Sequence, residues 1–282
     1  MTDTEPAPAE MIDTQPETRS EGHREFMATV VAVTSEMSDC TLLTLSLPSG
    51  VGHRLRPGQF VNVLCRDALS LDPLLRRPYS FFRVDTNNDT MTLLVRPFGR
   101  GSQWLAGRSV GETLDIMGPL GNHFEVSSRT DRLLMVAGGV GIAPLVHLSD
   151  EALARGQSVT LLMGASTGET LLSAGQLPAE VEYVVATDDG SQGHRGFVTD
   201  LVPDYLQWAD QVFACGPDPM LRSLSSVIRQ HRVGRRPTVH ISVERSMACG
   251  VGACLGCVID TRHGMQTSCV TGPVFPVEEI VW

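Results

Sequence analysis

Leu133-Leu134-Met135-Val136-Ala137-Gly138-Gly139-Val140-Gly141-Ile142-Ala143-Pro144 is the stretch on which the reading of this chain turns. Its first five residues form an unbroken apolar row, the mark of a strand buried on both faces of a parallel sheet. Glycines follow at once, and Pro144 then opens a helix that runs to about Arg155 and stops at Gly156. Such a turn brings backbone close to a pyrophosphate, with the amides and positive dipole end of a helix behind it. The usual G-x-G-x-x-G pattern lacks its third glycine, since Gly139-x-Gly141 is followed by Pro144. No acidic residue closes the next strand, which runs into Gly164-Ala165-Ser166. Read by itself, the turn is open between a phosphate site and a plain strand–helix connection.

Downstream, residues 159–163, 181–187 and 211–215 read as three more buried strands. Residues 217–231 read as an amphipathic helix with Met220, Leu221, Leu224, Val227 and Ile228 on its inner face. Alternating strands and helices predict a parallel-sheet α/β domain over residues 129–236. Cys215-Gly216-Pro217 falls at the C-terminal end of a strand, where such sheets place ligands, although Cys215 alone also reads as a small buried hydrophobe. His123, His147, His194 and His240 show no metal-ligand spacing.

Upstream, over residues 23–128, the rhythm is of short strands: 26–33, 41–47, 59–64, 78–84, 90–96 and 113–117. Pro48-Ser49-Gly50, Arg56-Pro57-Gly58, the polar run at 85–89 and Gly118-Pro119-Leu120-Gly121 punctuate them. Six strands so spaced predict an antiparallel barrel or sandwich. Residues 1–22 are acidic and rich in Thr, Pro and Ala, with neither the basic nor the apolar region of a secretory signal. They read as a disordered tail of a cytoplasmic protein. A length of 282 residues predicts about two domains, and 42% apolar residues exclude a wholly disordered chain. A net charge of −10 argues against attraction to nucleic acid or an anionic membrane. No apolar run reaches the ~18 residues that span a bilayer. All 22 basic residues are Arg, so chemistry that needs a lysine is excluded.

Of seven cysteines, Cys40, Cys65 and Cys215 are scattered and four lie together as Cys249-x4-Cys254-x2-Cys257-x11-Cys269. That is the plant-type spacing of a [2Fe–2S] cluster. Gly250, Gly252, Ala253 and Gly256 let backbone amides turn toward the sulfurs. A structural zinc ion also takes four thiolates, but zinc ribbons pair two C-x2-C knuckles and only Cys254/Cys257 forms one. The segment 237–282 opens with a strand at 238–243 and is too small for its own core, so it needs a metal or a neighbour.

Together these segments resemble the ferredoxin reductase-like flavoprotein family over residues 26–236. Arg77-Pro78-Tyr79-Ser80 looks like its R-x-Y-[S/T] flavin motif, Gly139-x-Gly141-Ile142-Ala143-Pro144 like its nicotinamide-nucleotide turn, and Cys215-Gly216-Pro217 like its Cys-Gly-Pro. Leu75-Arg76-Arg77-Pro78-x-Ser80, Gly118-Pro119-Leu120-Gly121-Asn122, residues 187–191, residues 196–200 and Met247-Ala248-Cys249-Gly250-x-Gly252-Ala253-Cys254 are similar to the electron-transfer subunits of type B (NAD-linked) dihydroorotate dehydrogenases. Tyr79, where these subunits often carry an aliphatic residue, and Arg100, where Lys is common, depart from the pattern.

The resemblance implies a six-stranded flavin-binding barrel, a parallel-sheet nucleotide-binding domain and a small C-terminal iron–sulfur segment. It implies FAD contacts at Arg77, Pro78, Tyr79, Ser80, Leu94, Val95, Arg96, Gly101 and Ser102. NAD would be met by Gly138, Gly139, Gly141, Pro144, Cys215, Gly216 and Pro217, and the [2Fe–2S] cluster would be held by Cys249, Cys254, Cys257 and Cys269. Arg77 would fork onto phosphate, Gly101 and Ser102 would offer amides, Ser80 would bond the isoalloxazine and Tyr79 would cover it. Without that context Arg76-Arg77 also reads as a solvated surface pair. The implied activity is electron transfer from a dihydroorotate-oxidising partner through the cluster and FAD to NAD+, in de novo pyrimidine (UMP) synthesis. The chain shows no base of its own for dihydroorotate oxidation. The implied partner is an FMN-containing catalytic dihydroorotate dehydrogenase subunit, in a heterotetramer of two of each. The alternatives are a flavin subunit of another complex (ferredoxin:NADP reductase, sulfide dehydrogenase or hydrogenase type) and a non-enzymatic zinc module.

Overall fold

The computed structural model describes residues 24–231 and 237–282. The tail expected over residues 1–22 lies outside the described residues. β1 (Arg24–Glu36), β2 (Cys40–Ser46), β3 (Phe60–Val63), β4 (Arg77–Asp85), β5 (Thr90–Val95) and β6 (Thr113–Leu120) close an antiparallel barrel in the order β1-β2-β5-β4-β3-β6. Strand alternation fills it: Leu43, Leu45, Val61, Val63, Met91, Leu93, Val95 and Ile116 point inward, and closure leaves no free edge.

Two features differ from the sequence reading. β6 runs through Gly118-Pro119, where a break is expected. Gly118 is required there by close packing, since a Cβ would stand 2.7 Å from Val61 Cγ1. The helix α1 (Arg100–Ala106) forms over Gly101 and Ser102, where no helix is expected. Its N-cap is Gly99, without a capping side chain of its own. Ser102 caps from inside instead, its Oγ accepting from the amides of Phe98 (2.8 Å) and Gly99 (2.9 Å).

The second unit holds β7 (Arg132–Gly138), α2 (Ala143–Ala154), β8 (Ser158–Ala165), β9 (Glu182–Thr187), β10 (His194–Arg195), α3 (Val202–Tyr205), β11 (Gln211–Cys215), α4 (Asp218–Gln230), β12 (Thr238–Ser242), β13 (Val258–Thr261), β14 (Gly264–Thr267) and β15 (Val274–Pro276). Its sheet has the order β10-β9-β8-β7-β11-β12-β15, parallel except that β15 runs antiparallel to β12. β7 is buried on both faces, with Leu133, Met135 and Ala137 on one side and Leu134 and Val136 on the other. The sheet continues past residue 236, because β12 pairs in parallel with β11. β15 then brings Phe275 into the sheet's core, joined there by Val277 and Ile280. The neighbour that the small C-terminal segment needs is therefore this sheet. Among the described residues no helix is long and apolar enough to cross a membrane.

α2 is wedged between sheet and barrel. His147 meets Phe81 of β4 edge-on at 6.2 Å, and Asp150 pairs with Arg83 at 2.7 Å. Burial, with the charges of Arg56 and Arg83, pushes the His147 imidazole down from 6.5 to about 4. The unfolded chain protonates this ring below its ordinary pKa while the native chain does not. Its contribution to stability is thus complete above about pH 6.5 and is lost as the pH falls toward 4, by about 3 kcal/mol. His147→Leu should flatten the dependence of denaturation midpoint on pH in that window. An unchanged slope would remove His147 as its cause.

Candidate functional site

A cavity of 1010 Å³ opens where the barrel, the sheet and the cysteine segment meet. Its barrel wall is Arg77, Pro78, Tyr79 and Ser80 of β4, Leu94 of β5, Arg96, and Ser102 of α1. Its sheet wall is Val140, Ala143 and Pro144 with Ser242, Val243 and Glu244. Its third wall is Arg245 to Ala248 together with Gly256. The volume is at the upper end for small-molecule sites, as a dinucleotide-sized group requires. Of the residues expected to meet the flavin, Val95 and Gly101 are not on the wall. Alternation turns Val95 into the barrel core, fully buried. Gly101 lets α1 lie against Arg77, since a Cβ there would come within 3.1 Å of Arg77 Cγ.

The two adjacent arginines have different fates. Arg76 is a structural side chain: it forks onto Asp115 at 2.9 and 3.0 Å and reaches Glu25 at 3.0 Å. Arg77 fixes its guanidinium on its own backbone, donating to the carbonyls of Leu75 (2.8 Å) and Arg76 (3.2 Å), and faces the cavity. Among the described residues no carboxylate pairs with it. Arg96 is oriented by Asp39 at 2.6 Å.

The nucleotide turn and the Cys-Gly-Pro turn are packed backbone to backbone. A Cβ on Gly141 would stand 2.4 Å from the Cys215 carbonyl oxygen, and one on Gly138 would stand 2.8 Å from Pro217 Cδ. Both turns end adjacent strands, β7 and β11, between which the strand order reverses. Open α/β sheets bind their ligands at such a switch point. The Cys215 thiol is buried, and that burial, reinforced by the charge of Glu244, holds it well above its ordinary pKa despite the Ser242 hydroxyl. It is a neutral side chain packed in the sheet's core rather than a nucleophile.

Glu244 was missed by sequence reasoning. It lies two residues past the end of β12, an exposed side chain that opens onto the cavity against the surrounding protein wall. Desolvation by that wall, with Asp218 nearby, raises its carboxyl pKa. The available signal was an acidic residue at the C-terminal end of a parallel strand.

The cysteine loop points backbone amides at sulfur. Val251 and Cys254 donate to Cys249 Sγ at 3.4 Å, Gly252 donates to Cys269 Sγ at 3.2 Å, and Gly256 donates to Cys254 Sγ at 3.4 Å. Left-handed backbone at Gly250, Gly252 and Leu255 makes those reversals. Although burial opposes it, the amides of Val251 and Cys254 and the Cys254 side chain bring the Cys249 thiol down to about 7. Cys269 is pushed up to about 12 by burial and by the adjoining Cys257 thiol. The sulfurs thus fall into two pairs, Cys249 with Cys254 and Cys257 with Cys269. Among the described residues no three metal-ligating side chains converge on one ion. Four thiolates in two pairs, with amides facing sulfur, fit a dinuclear iron–sulfur cluster better than one tetrahedral zinc ion.

Comparison with known proteins agrees with this geometry. Residues 244–281 match the family model for the iron-sulfur cluster binding domain of dihydroorotate dehydrogenase B, residues 135–226 an oxidoreductase NAD-binding domain, and residues 27–125 an oxidoreductase FAD-binding domain. The dihydroorotate dehydrogenase B (NAD(+)) electron transfer subunit of Geobacillus kaustophilus is 41% identical over 232 residues, covering 80% of this chain and 87% of that one. Its counterpart from Desulforamulus reducens is 36% identical over 264 residues, covering 91% and 98%. Among solved structures, a chain of an NADH-dependent reduced ferredoxin-NADP oxidoreductase superposes with a TM-score of 0.78 at 26% identity, covering 90% of each chain. With this identity sustained across most of both sequences, and with a flavin barrel, a nucleotide sheet and a four-cysteine loop meeting at one cavity, the chain belongs to the family of dihydroorotate dehydrogenase B electron transfer subunits.

Proposed function

We propose that this chain passes electrons from an FMN-containing, dihydroorotate-oxidising catalytic subunit through its [2Fe–2S] cluster and FAD to NAD+, within a cytoplasmic heterotetramer of two of each subunit. One observation carries the reading: the same cavity is walled by the flavin motif, the nucleotide turn and the cysteine segment. The bound flavin supplies the conversion between single-electron and hydride chemistry. Arg77 and Ser102 would hold its phosphates, Ser80 and Tyr79 would hold and cover its ring, and the four cysteines would hold the cluster. Three scattered cysteines outside the cluster loop, Cys40, Cys65 and Cys215, all buried and free of disulfides, accord with a reducing compartment. The second reading, a flavin subunit of a ferredoxin-linked complex, draws on the shared architecture of the NADH-dependent reduced ferredoxin-NADP oxidoreductase. Co-purification decides between them, since only the first reading expects a dihydroorotate-oxidising subunit to come with the chain.

NAD(H) is the nucleotide of choice on electrostatic grounds. The amides of Asp188 and Asp189 bond the carbonyls of Ala165 and Ser166 (3.1 and 3.3 Å), which places two carboxylates at the end of β8. Ser191's hydroxyl and amide hold the Asp189 carboxyl below its ordinary range. A 2′-phosphate there would approach both carboxylates, with the Arg195 side chain packed over Gly190 as a neighbouring cation. NADH should therefore reduce an artificial dye through the enzyme far better than NADPH, and an NADPH preference would overturn this assignment.

Arg77→Ala removes a charge-assisted phosphate contact, worth about 1.5–3 kcal/mol. Flavin affinity should fall about ten- to hundredfold, read as FAD lost on dialysis. Full flavin retention would make Arg77 a surface charge.

A further inference from the structure

Asn62 lies where a polar side chain is costly. It is fully buried on β3, and among the described residues neither its Oδ1 nor its Nδ2 has a hydrogen-bond partner. Alternation sends Val61 and Val63 into the barrel and turns Phe60 and Asn62 outward. There Phe60 and Leu120 pack with Met247 and the cluster cysteines Cys257 and Cys269. The amide end of Asn62 faces the cysteine loop: a Cβ on Gly250 would stand 2.2 Å from Nδ2, but 3.3 Å from Cγ. Gly250 follows Cys249 directly and has left-handed backbone, φ +74°. Leucine would fill this apolar seam without penalty, so an unsatisfied amide marks a missing acceptor. The acceptors that belong in this lobe are the anionic sulfurs of an iron–sulfur cluster, and a sulfur acceptor selects the N–H end of the amide. Asn62 also pairs in register with Pro78, on the flavin wall. The amide thus lies between the cavity and the cysteine loop.

We propose that Asn62 donates a side-chain hydrogen bond to a sulfur of the iron–sulfur cluster beside Cys249, and so favours the cluster's reduced form on the side that faces the flavin. The proposal rests on the cluster reading and goes beyond it, because donors to cluster sulfurs raise the reduction potential. The test is an EPR-monitored redox titration of the full chain, purified anaerobically, comparing the parent with Asn62→Leu and Asn62→His. With iron and FAD at parental content, Asn62→Leu should lower the reduced-to-oxidised ratio at a fixed poise about tenfold, which is about 59 mV for a one-electron couple. Asn62→His keeps an N–H and should stay near the parent. A parental midpoint in Asn62→Leu overturns the proposal.

A second measurement needs no substitution. Parent protein synthesised with [side-chain amide-15N]asparagine should show 15N hyperfine coupling to the reduced cluster. Asn122 does not compete for this role, because its Nδ2 already donates to the carbonyls of Thr271 and Val274. An EPR-active cluster without 15N coupling overturns the assignment to Asn62. A parent with no cluster signal at all overturns the cluster reading, and the proposal with it.

Discussion

Cys257→Ser is expected to yield a protein that still binds FAD and still reduces a dye with NADH, while dihydroorotate-driven reduction of NAD+ by its complex falls by about a hundredfold or more. Serine places a hydroxyl, a poor iron ligand at neutral pH, where a thiol now sits 2% exposed beside Cys269. Loss of the metal loosens the loop, because the hairpin of β13 and β14 has little core of its own. The flavin wall draws mainly on β4, β5, α1 and the sheet, so it survives. A complex of this variant that forms NADH from dihydroorotate at the parental rate would take the cluster off the electron path.

Gly141→Ala should cut NADH-to-dye reduction by about a hundredfold with FAD still bound, since a displacement of about 1 Å at a hydride-transfer site has that effect. The added methyl would meet the Cys215 carbonyl oxygen at 2.4 Å, its carbon at 2.6 Å and the Gly216 nitrogen at 2.7 Å. All three are backbone atoms, so the turn after β7 must part from the end of β11. Gly139 supplies the contrast. Nothing lies within 4 Å of a Cβ there, and only its φ of +52° opposes a side chain, so Gly139→Ala should cost about 1–2 kcal/mol and little activity. Parental kinetics in Gly141→Ala would mean that the junction of the two turns does not position the nucleotide.

The barrel strands were legible because each apolar run ends at a turn signal, and the sheet was legible because the 133–137 row has the continuous pattern of a buried parallel strand. What escaped has physical reasons. α1 begins at Arg100 after the N-cap Gly99, which has no capping side chain, so no start signal precedes it. β6 runs through a Gly-Pro pair that normally ends a strand; here the glycine answers to a close contact with Val61, a neighbour known only from the fold. β15 is three residues long, and what makes it a strand is its pairing with β12, not its composition. The four-cysteine loop, which falls within the matched iron-sulfur cluster binding domain, was readable from its spacing alone. Glu244 and Asn62 were not, because their significance comes from what surrounds them: a cavity wall for one, an apolar seam for the other.

Coupling between the two halves of the reaction is the central claim, and anaerobic turnover of the assembled complex tests it most directly. Dihydroorotate and NAD+ are given to the chain together with its co-purified catalytic subunit, and orotate and NADH are measured. NADH formed in step with orotate, and formed only when both subunits are present, is the predicted result. Orotate formed without NADH, by a complex whose flavin is still reduced by added NADH, would contradict it.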